Sequence, residues 1–366
     1  MNNRDIETVR EELVQALSRT FDDNRKIAVY GAGNSSERNV WALTEDMEDG
    51  AFEPEYYIDD TPEKHNTKFY GKRVINFEEA HSLCKGFLIL ICSDVTRTRS
   101  IIAGSLRQNP IEGAEDFTTL DEYVFCRQSE KVLAVYDMLE DDFSKRTYAN
   151  MILVRMFRVE QDQMLVRENT YYDVPEFAAA GASEVYVDCG AYTGDTVEQY
   201  LSKRQGEFGK IVAFEPFEEN FQAMKDRVER LMREWGFEER NIKLIQAGVG
   251  EKTYTSKLKV DDHADGCALS GENAHGDIPV IALDDYFKKQ TVSFIKADIE
   301  GYERRMLCGA ENMIRRDRPK MSICIYHSAY DMSRIALKVK KICSDYRFSV
   351  RQHSHDILDT VLYAYL

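Results

Sequence analysis

Asp188, Glu215, Asp298, Glu300 and His327 are the side chains of this 366-residue chain whose types and spacing could do chemistry. Asp188 falls near the end of the run VYVDC and leads into the turn Gly190-Ala191-Tyr192-Thr193-Gly194-Asp195-Thr196. Glu215, followed by Pro216 and Phe217, ends the next such run, IVAFE. A carboxylate at a strand end can accept hydrogen bonds from both hydroxyls of a ribose. Gly190 allows a tight turn, and Gly194 lets a helix start close to a ligand with its first amides facing an anionic group. Asp298 and Glu300 share a face if the strand from Ser293 to Asp298 continues, because strand side chains alternate. With His327 at the end of the following strand, they are candidates to take a proton from a hydroxyl nucleophile.

These residues meet only if parallel strands bring their carboxyl ends to one edge, where ligands lie in open α/β sheets. Strands are expected at Val185 to Cys189, Ile211 to Glu215, Ile242 to Ala247, Ser293 to Asp298, Met321 to Tyr326, Phe348 to Gln352 and Val361 to Tyr365. Helices fall between most of them, and Lys257 to Val260 and Ile278 to Leu283 read as extra or edge strands. Earlier in the chain, Lys26 to Tyr30, Glu55 to Asp60, Val74 to Ile75 and Phe87 to Cys92 alternate with helices at Phe77 to Leu83 and around Arg97 to Leu106. Between the two sets, Val132, Val135, Leu139 and Phe143, then Ile152, Val154, Met156 and Val159, support helices. The fold class is thus α/β, with two doubly wound domains: a small Rossmann-like unit over 1–113, a helical connector over 114–180 and a larger domain over 181–366. The first unit is expected to fold by itself.

Read in order, Asp188 to Asp195 (DCGAYTGD), Ala213 to Pro216 (AFEP), Gln246 to Gly250 (QAGVG), Leu283 to Asp285 (LDD), Ile295 to Glu303 (IKADIEGYE) and Ile323 to His327 resemble the FkbM family of S-adenosylmethionine (SAM)-dependent methyltransferases. The resemblance covers about half the chain, from Val185 onward. It implies a class I methyltransferase domain holding SAM through Asp188, Gly190, Ala191, Tyr192, Thr193, Gly194, Asp195, Thr196, Glu215, Pro216, Phe217, Ala247, Gly248 and Asp298. It also implies O-methylation of a sugar, glycan or polyketide-like small molecule, with Asp298, Glu300 and His327 at the reacting end. Tyr192 departs from the Asn that many relatives carry.

Other readings stay open. Asp298, Glu300 and His327 would also suit a magnesium-like ion, although a divalent metal is not the favoured cofactor. Glu303 is expected in a helix first turn, favoured by the helix dipole and without a chemical task. Asp261, Asp262 and Asp265 with His263 read as a loop over the cleft. In the first domain Tyr57 to Asp60 (YIDD), followed by Lys64, Gly71 and Val74, resembles the nucleotide-sugar-binding domains of sugar acyltransferases and epimerase-like proteins, which implies a ligand held by Gly31, Gly33, Asn34 and Asp59. A scaffold or dimerisation unit is the alternative there. Ser36 stands where a dinucleotide fingerprint wants its third glycine, which argues against an NAD-dependent oxidoreductase. A non-catalytic nucleotide- or nucleotide-sugar-binding protein is the remaining alternative function.

A formal net charge of −16 disfavours nucleic acid, whose sequence-independent binding needs Lys and Arg against phosphate. No apolar run approaches the roughly 18 residues of a membrane helix. The N-terminal stretch, with Ile6, Val9, Leu13, Leu17 and Phe21 at helical spacing, reads as an amphipathic helix and not a signal peptide. The eight cysteines are scattered with no C-x-x-C, which fits reduced thiols and a cytoplasmic location. The expected partner is a small-molecule or glycan acceptor, with neither nucleic acid nor membrane; oligomeric state is left open.

Overall fold

The computed structural model describes residues 5–33, 36, 39, 52–93, 95–178, 181–260, 267–269 and 275–366. In the N-terminal lobe, β1 (Ile27–Tyr30), β2 (Tyr56–Ile58), β3 (Lys68–Phe69), β4 (Lys72–Ile75), β5 (Leu88–Ile91) and β6 (Thr118–Thr119) form a sheet in the order β3-β4-β2-β1-β5-β6. All neighbours are parallel except β3 and β4. Those two make a hairpin whose two-residue turn, Tyr70 and Gly71, has positive φ at both positions, as a twist-matched tight turn requires. The order reverses between β1 and β5, which makes the sheet doubly wound. Thr118 pairs with Leu90 in β6, so the sheet is completed by residues beyond the expected boundary at Gly113.

The connector is helical at Leu120–Arg127, Ser129–Met138 and Asp142–Phe157. Val132, Val135, Leu139, Ile152, Val154 and Met156 are buried as their spacing implies, whereas Val159 lies past the helix end and is exposed. The last of these helices stops at Arg158, whose φ is 52°. The connector does not stand apart from either lobe. Leu139 bridges to Phe348. Val9, Leu13 and Leu17 of the helix Ile6–Ala16 and its cap share one apolar core with Val135, Ile152, Val187, Phe348 and Val350. The first helix of residues 1–113 thus packs into a core that also takes in the connector and the C-terminal lobe.

The C-terminal lobe contains β7 (Val185–Cys189), β8 (Lys210–Phe214) and β9 (Ile242–Ile245), then β10 (Gly248–Val249), β11 (Tyr254–Val260), β12 (Cys267–Leu269) and β13 (His275–Ile281). Strands β14 (Phe294–Ala297), β15 (Lys320–Cys324), β16 (Arg347–Gln352) and β17 (Thr360–Tyr365) follow. The main sheet runs β9-β8-β7-β14-β15-β17-β16, with β17 antiparallel to both neighbours. The expected extra strands form a second sheet, β10-β13-β11-β12. The loop containing Asp261, Asp262, His263 and Asp265 lies outside the described residues, as does Asn34. Among the described residues no helix is long and apolar enough to cross a membrane.

Candidate functional site

The main sheet reverses its order between β7 and β14, and the turn after β7 crosses that point. Gly190 has φ 80°, and a Cβ there would lie 1.8 Å from the main-chain oxygen of Asp298, so only glycine lets the two loops touch. Gly194, also at φ 80°, precedes the helix Asp195–Lys203. Asp188 is wholly buried beneath the turn. Its Oδ2 accepts from Thr196 Oγ1 at 2.5 Å, and its Oδ1 lies 3.1 Å from Lys296 Nζ. Lys296 also donates to the oxygen of Gly190 at 2.6 Å. Asp188 thus braces the turn from beneath, fully buried and not among the residues that line the cavity. Ala191 is likewise fully buried. Lys296, inside the IKAD run, was not singled out in the sequence because a lone lysine in a strand has no distinctive spacing.

A cavity of about 550 Å³ opens along the carboxyl edge of the sheet. Strand order fixes its layout: Ala247, Gly248 and Val249 follow β9, Glu215 and Pro216 follow β8, and Gly190, Tyr192, Asp195 and Thr196 follow β7. Asp298 and Glu300 then follow β14, Tyr326 follows β15, and Asp359 precedes β17. Thr193 and Phe217 are not among the lining residues. Phe217 contributes its amide, which donates to Glu215 Oε1 at 3.0 Å, while the amide of Tyr192 donates to Oε2 at 2.9 Å. Burial pushes the Glu215 carboxyl up to about 7 despite these two bonds. Its remaining lone pairs face a cavity that hydroxyl donors would satisfy.

Asp298 receives the Tyr171 hydroxyl at 2.9 Å and the Tyr326 hydroxyl at 3.2 Å, and His327 Nε2 lies 3.3 Å away. Burial would raise its pKa, but His327, Lys296 and Tyr171 outweigh that and hold the carboxyl well below the usual range. His327 is buried and is not among the lining residues. Its Nδ1 lies 3.2 Å from Glu303 Oε1 and its Nε2 3.8 Å from Glu300 Oε2. Burial opposes protonation, yet Glu303, Asp298 and Glu300 together hold the imidazole well above its ordinary value. A protonated imidazole has no lone pair to accept a proton. His327 lies buried between carboxylates and away from the cavity lining, a setting that favours its protonated form over the expected role of a base.

Glu303 does open the helix Glu303–Cys308, but it is fully buried and its Oε1 also accepts from the amide of Ile299 at 2.8 Å. It is an internal partner of His327 and not a surface dipole residue. Glu300 reaches the cavity by a different route from the one expected. Strand β14 ends at Ala297, and the turn places Glu300 at φ 55°, so strand alternation does not pair it with Asp298.

Asp298, Glu303 and His327 could each offer a ligand atom to a metal. They do not fit one ion well. Each ring nitrogen has its own carboxylate, Nδ1 facing Glu303 and Nε2 facing Asp298, whereas a metal needs one ring nitrogen and the carboxylate oxygens to converge on a point. The arrangement is that of an imidazole set between two carboxylates.

In the N-terminal lobe Gly31, at φ 121°, packs against the oxygen of Cys92, and Gly33 lies near Lys64. Asp59 is occupied by its own loop: Oδ2 accepts from the amide of Ala32 at 2.9 Å and from Lys64 Nζ at 3.0 Å, and Oδ1 from the amide of Thr61 at 3.0 Å. Those bonds leave Oδ1 with one further acceptor site.

A seven-stranded sheet in this order, with a glycine turn and an acidic strand end around one cavity, has the fold of class I methyltransferases. Residues 188–350 match the family model described as the Methyltransferase FkbM domain. Among solved structures, methyltransferase FkbM from Methylobacillus flagellatus KT aligns at 20% identity over 99% of this chain and 100% of that chain, with a TM-score of 0.61, which shows a shared fold. An rRNA methylase from Streptococcus thermophilus aligns at 19% identity over 50% of this chain and 86% of that chain, TM-score 0.32. Fibrillarin from Aeropyrum pernix, with natively bound S-adenosyl-L-methionine, aligns at 16% identity over 54% and 77%, TM-score 0.31. At those scores the last two carry no argument. No curated protein matches the chain.

Proposed function

We propose that this protein is a SAM-dependent O-methyltransferase acting on a hydroxyl of a sugar, glycan or similar small molecule. The observation that carries the reading is Glu215, a buried carboxylate fixed by the amides of Tyr192 and Phe217 and open to the cavity. Hydroxyl donors of a ribose suit it, and Ala247 to Val249 on the neighbouring strand edge suit an adenine. The start of the helix Asp195–Lys203 suits the methionine carboxylate, and Asp298, kept ionised, suits the amino group. The cavity volume is within the usual range for a ligand of that size. When bound, SAM supplies a methyl group on a sulfonium.

At the β14, β15 and β17 end, Tyr302 and Tyr326 stand among the carboxylates of Glu300 and Asp359. Aromatic faces beside hydrogen-bond acceptors suit a polyhydroxylated acceptor. The net charge of −16 disfavours RNA or DNA in that role, and the buried reduced cysteines suit a cytoplasmic setting. The test is transfer of labelled methyl from SAM to a panel of sugars, glycosides and hydroxylated aromatic compounds. Label that survives alkaline hydrolysis as a methyl ether is the expected result. Label found only as a methyl ester or methylamine would contradict O-methylation of a hydroxyl.

A further inference from the structure

A hydroxyl nucleophile must lose its proton, and the two groups the motifs point to are poorly suited to receive it. Asp298 already accepts from two tyrosines and faces His327, and His327 is buried between carboxylates that favour its protonated form. Glu300 faces the same imidazole at 3.8 Å. Asp359 differs from all three. It lines the cavity just before β17, at the point where the amide of Ile325 donates to the oxygen of Thr360 at 2.9 Å and ties β17 to the end of β15. Among the described residues no hydrogen bond or ion pair engages its carboxylate. Its backbone is left-handed, φ 53°, a region that few non-glycine residues adopt.

We propose that Asp359 is the catalytic base of the methyl transfer. The hydroxyl oxygen of the acceptor forms its bond to the methyl carbon, the carbon–sulfur bond breaks with its electron pair going to sulfur, and the hydroxyl proton passes to the Asp359 carboxylate. This rests on the reading of the cavity as a SAM site. Burial, then Asp298 and Asp356, push the Asp359 carboxyl up to about 6, with His327 opposing them. The phenol of Tyr326 and the thiol of Cys324 also face it. A base of that strength is matched to proton transfer near neutral pH.

Asp359→Asn tests the assignment, since Asn tolerates left-handed backbone almost uniquely well among non-glycine residues. In the full chain, calorimetric titration with S-adenosylhomocysteine (SAH) should give an affinity for the variant within about twofold of wild type, because Asp359 lies away from the strands expected to hold the nucleoside. Carbon-13 NMR of aspartate-labelled protein should show a carboxyl signal titrating near 6 that the variant lacks. With an acceptor from the panel, turnover should fall by about a hundred- to ten-thousandfold, and the rise of kcat/KM through that pH should vanish. If no carboxyl signal titrating in that region is lost in the variant, or if turnover is retained, Asp359 is not the base. Wild-type protein that fails to bind SAH would sink the reading of the cavity and this assignment together; normal SAH binding with either of the other failures sinks Asp359 alone.

Discussion

Arg155 donates from Nη1 to the main-chain oxygen of Tyr326 at 2.6 Å, which ties the connecting helix to the strand end whose tyrosine hydroxyl holds Asp298. Arg155 is itself part of a buried cluster. Its Nη2 lies 3.3 Å from Asp121, and Asp121 also pairs at 2.6 Å with Arg99 of the N-terminal lobe. Arg99 donates in turn to the oxygen of Arg155 at 3.0 Å and to the oxygen of Ser93 just past β5. A chain of buried polar contacts thus runs from the edge of one sheet to the edge of the other.

Replacing Arg155 by Met should destabilise the protein by about 3 to 5 kcal/mol, the usual effect of removing one partner from a buried ion cluster. Denaturant unfolding measures this. SAH affinity should fall too, because Tyr326 loses its anchor. A variant with wild-type stability and affinity would show that the cluster neither holds the lobes nor positions the site.

A chain that starts near Asp116 should not recover the native fold. It lacks Val9, Leu13 and Leu17, each worth roughly 1.5 to 3 kcal/mol of burial. It also leaves Asp121 without Arg99. Circular dichroism and SAH titration of the truncated protein provide the check; a cooperatively folded, SAH-binding fragment would contradict the shared core.

Stability without ligand should decline as pH rises from mildly acidic to mildly alkaline. The Glu215 and Asp331 carboxyls are pushed to about 7 and Asp359 to about 6, each chiefly by burial. Each binds a proton in the folded chain at pH values where the unfolded chain has released it, so raising the pH costs stability between the unfolded and folded values. His327, raised by its carboxylates, acts in the same direction, contributing stability below its unfolded value that is lost as pH rises through the folded one. Thermal melts across that range should shift downward with pH, and SAH should reduce the shift if it supplies donors to Glu215. A melting temperature that rises steadily through the range would contradict these environments.

The part of the cavity proposed to hold SAM is legible in the sequence because each piece lies at a strand end with a glycine or an acidic residue in a fixed order: the Gly190 turn, Glu215, Ala247 and Asp298. The part proposed for the acceptor is not. Tyr171 comes from the segment before β7, Tyr326 from the end of β15 and Asp359 from the loop before β17, and none has local spacing that marks it. The surroundings of Asp188 and His327 are not legible in the sequence because burial decides them, and a carboxylate or imidazole has the same letter whether it faces a ligand or a buried countercharge. Strand β6, beyond Gly113, is two residues long, too short to produce a periodic signal.

Calorimetric titration of SAH into the wild-type chain and into Glu215→Ala tests the central claim most directly. One SAH should bind per wild-type chain, and the variant should keep its fold by circular dichroism but bind about ten- to a hundredfold more weakly, as expected for loss of hydrogen bonds to a charged group worth roughly 1.5 to 3 kcal/mol. No binding to the wild type, or equal affinity in both proteins, would contradict it.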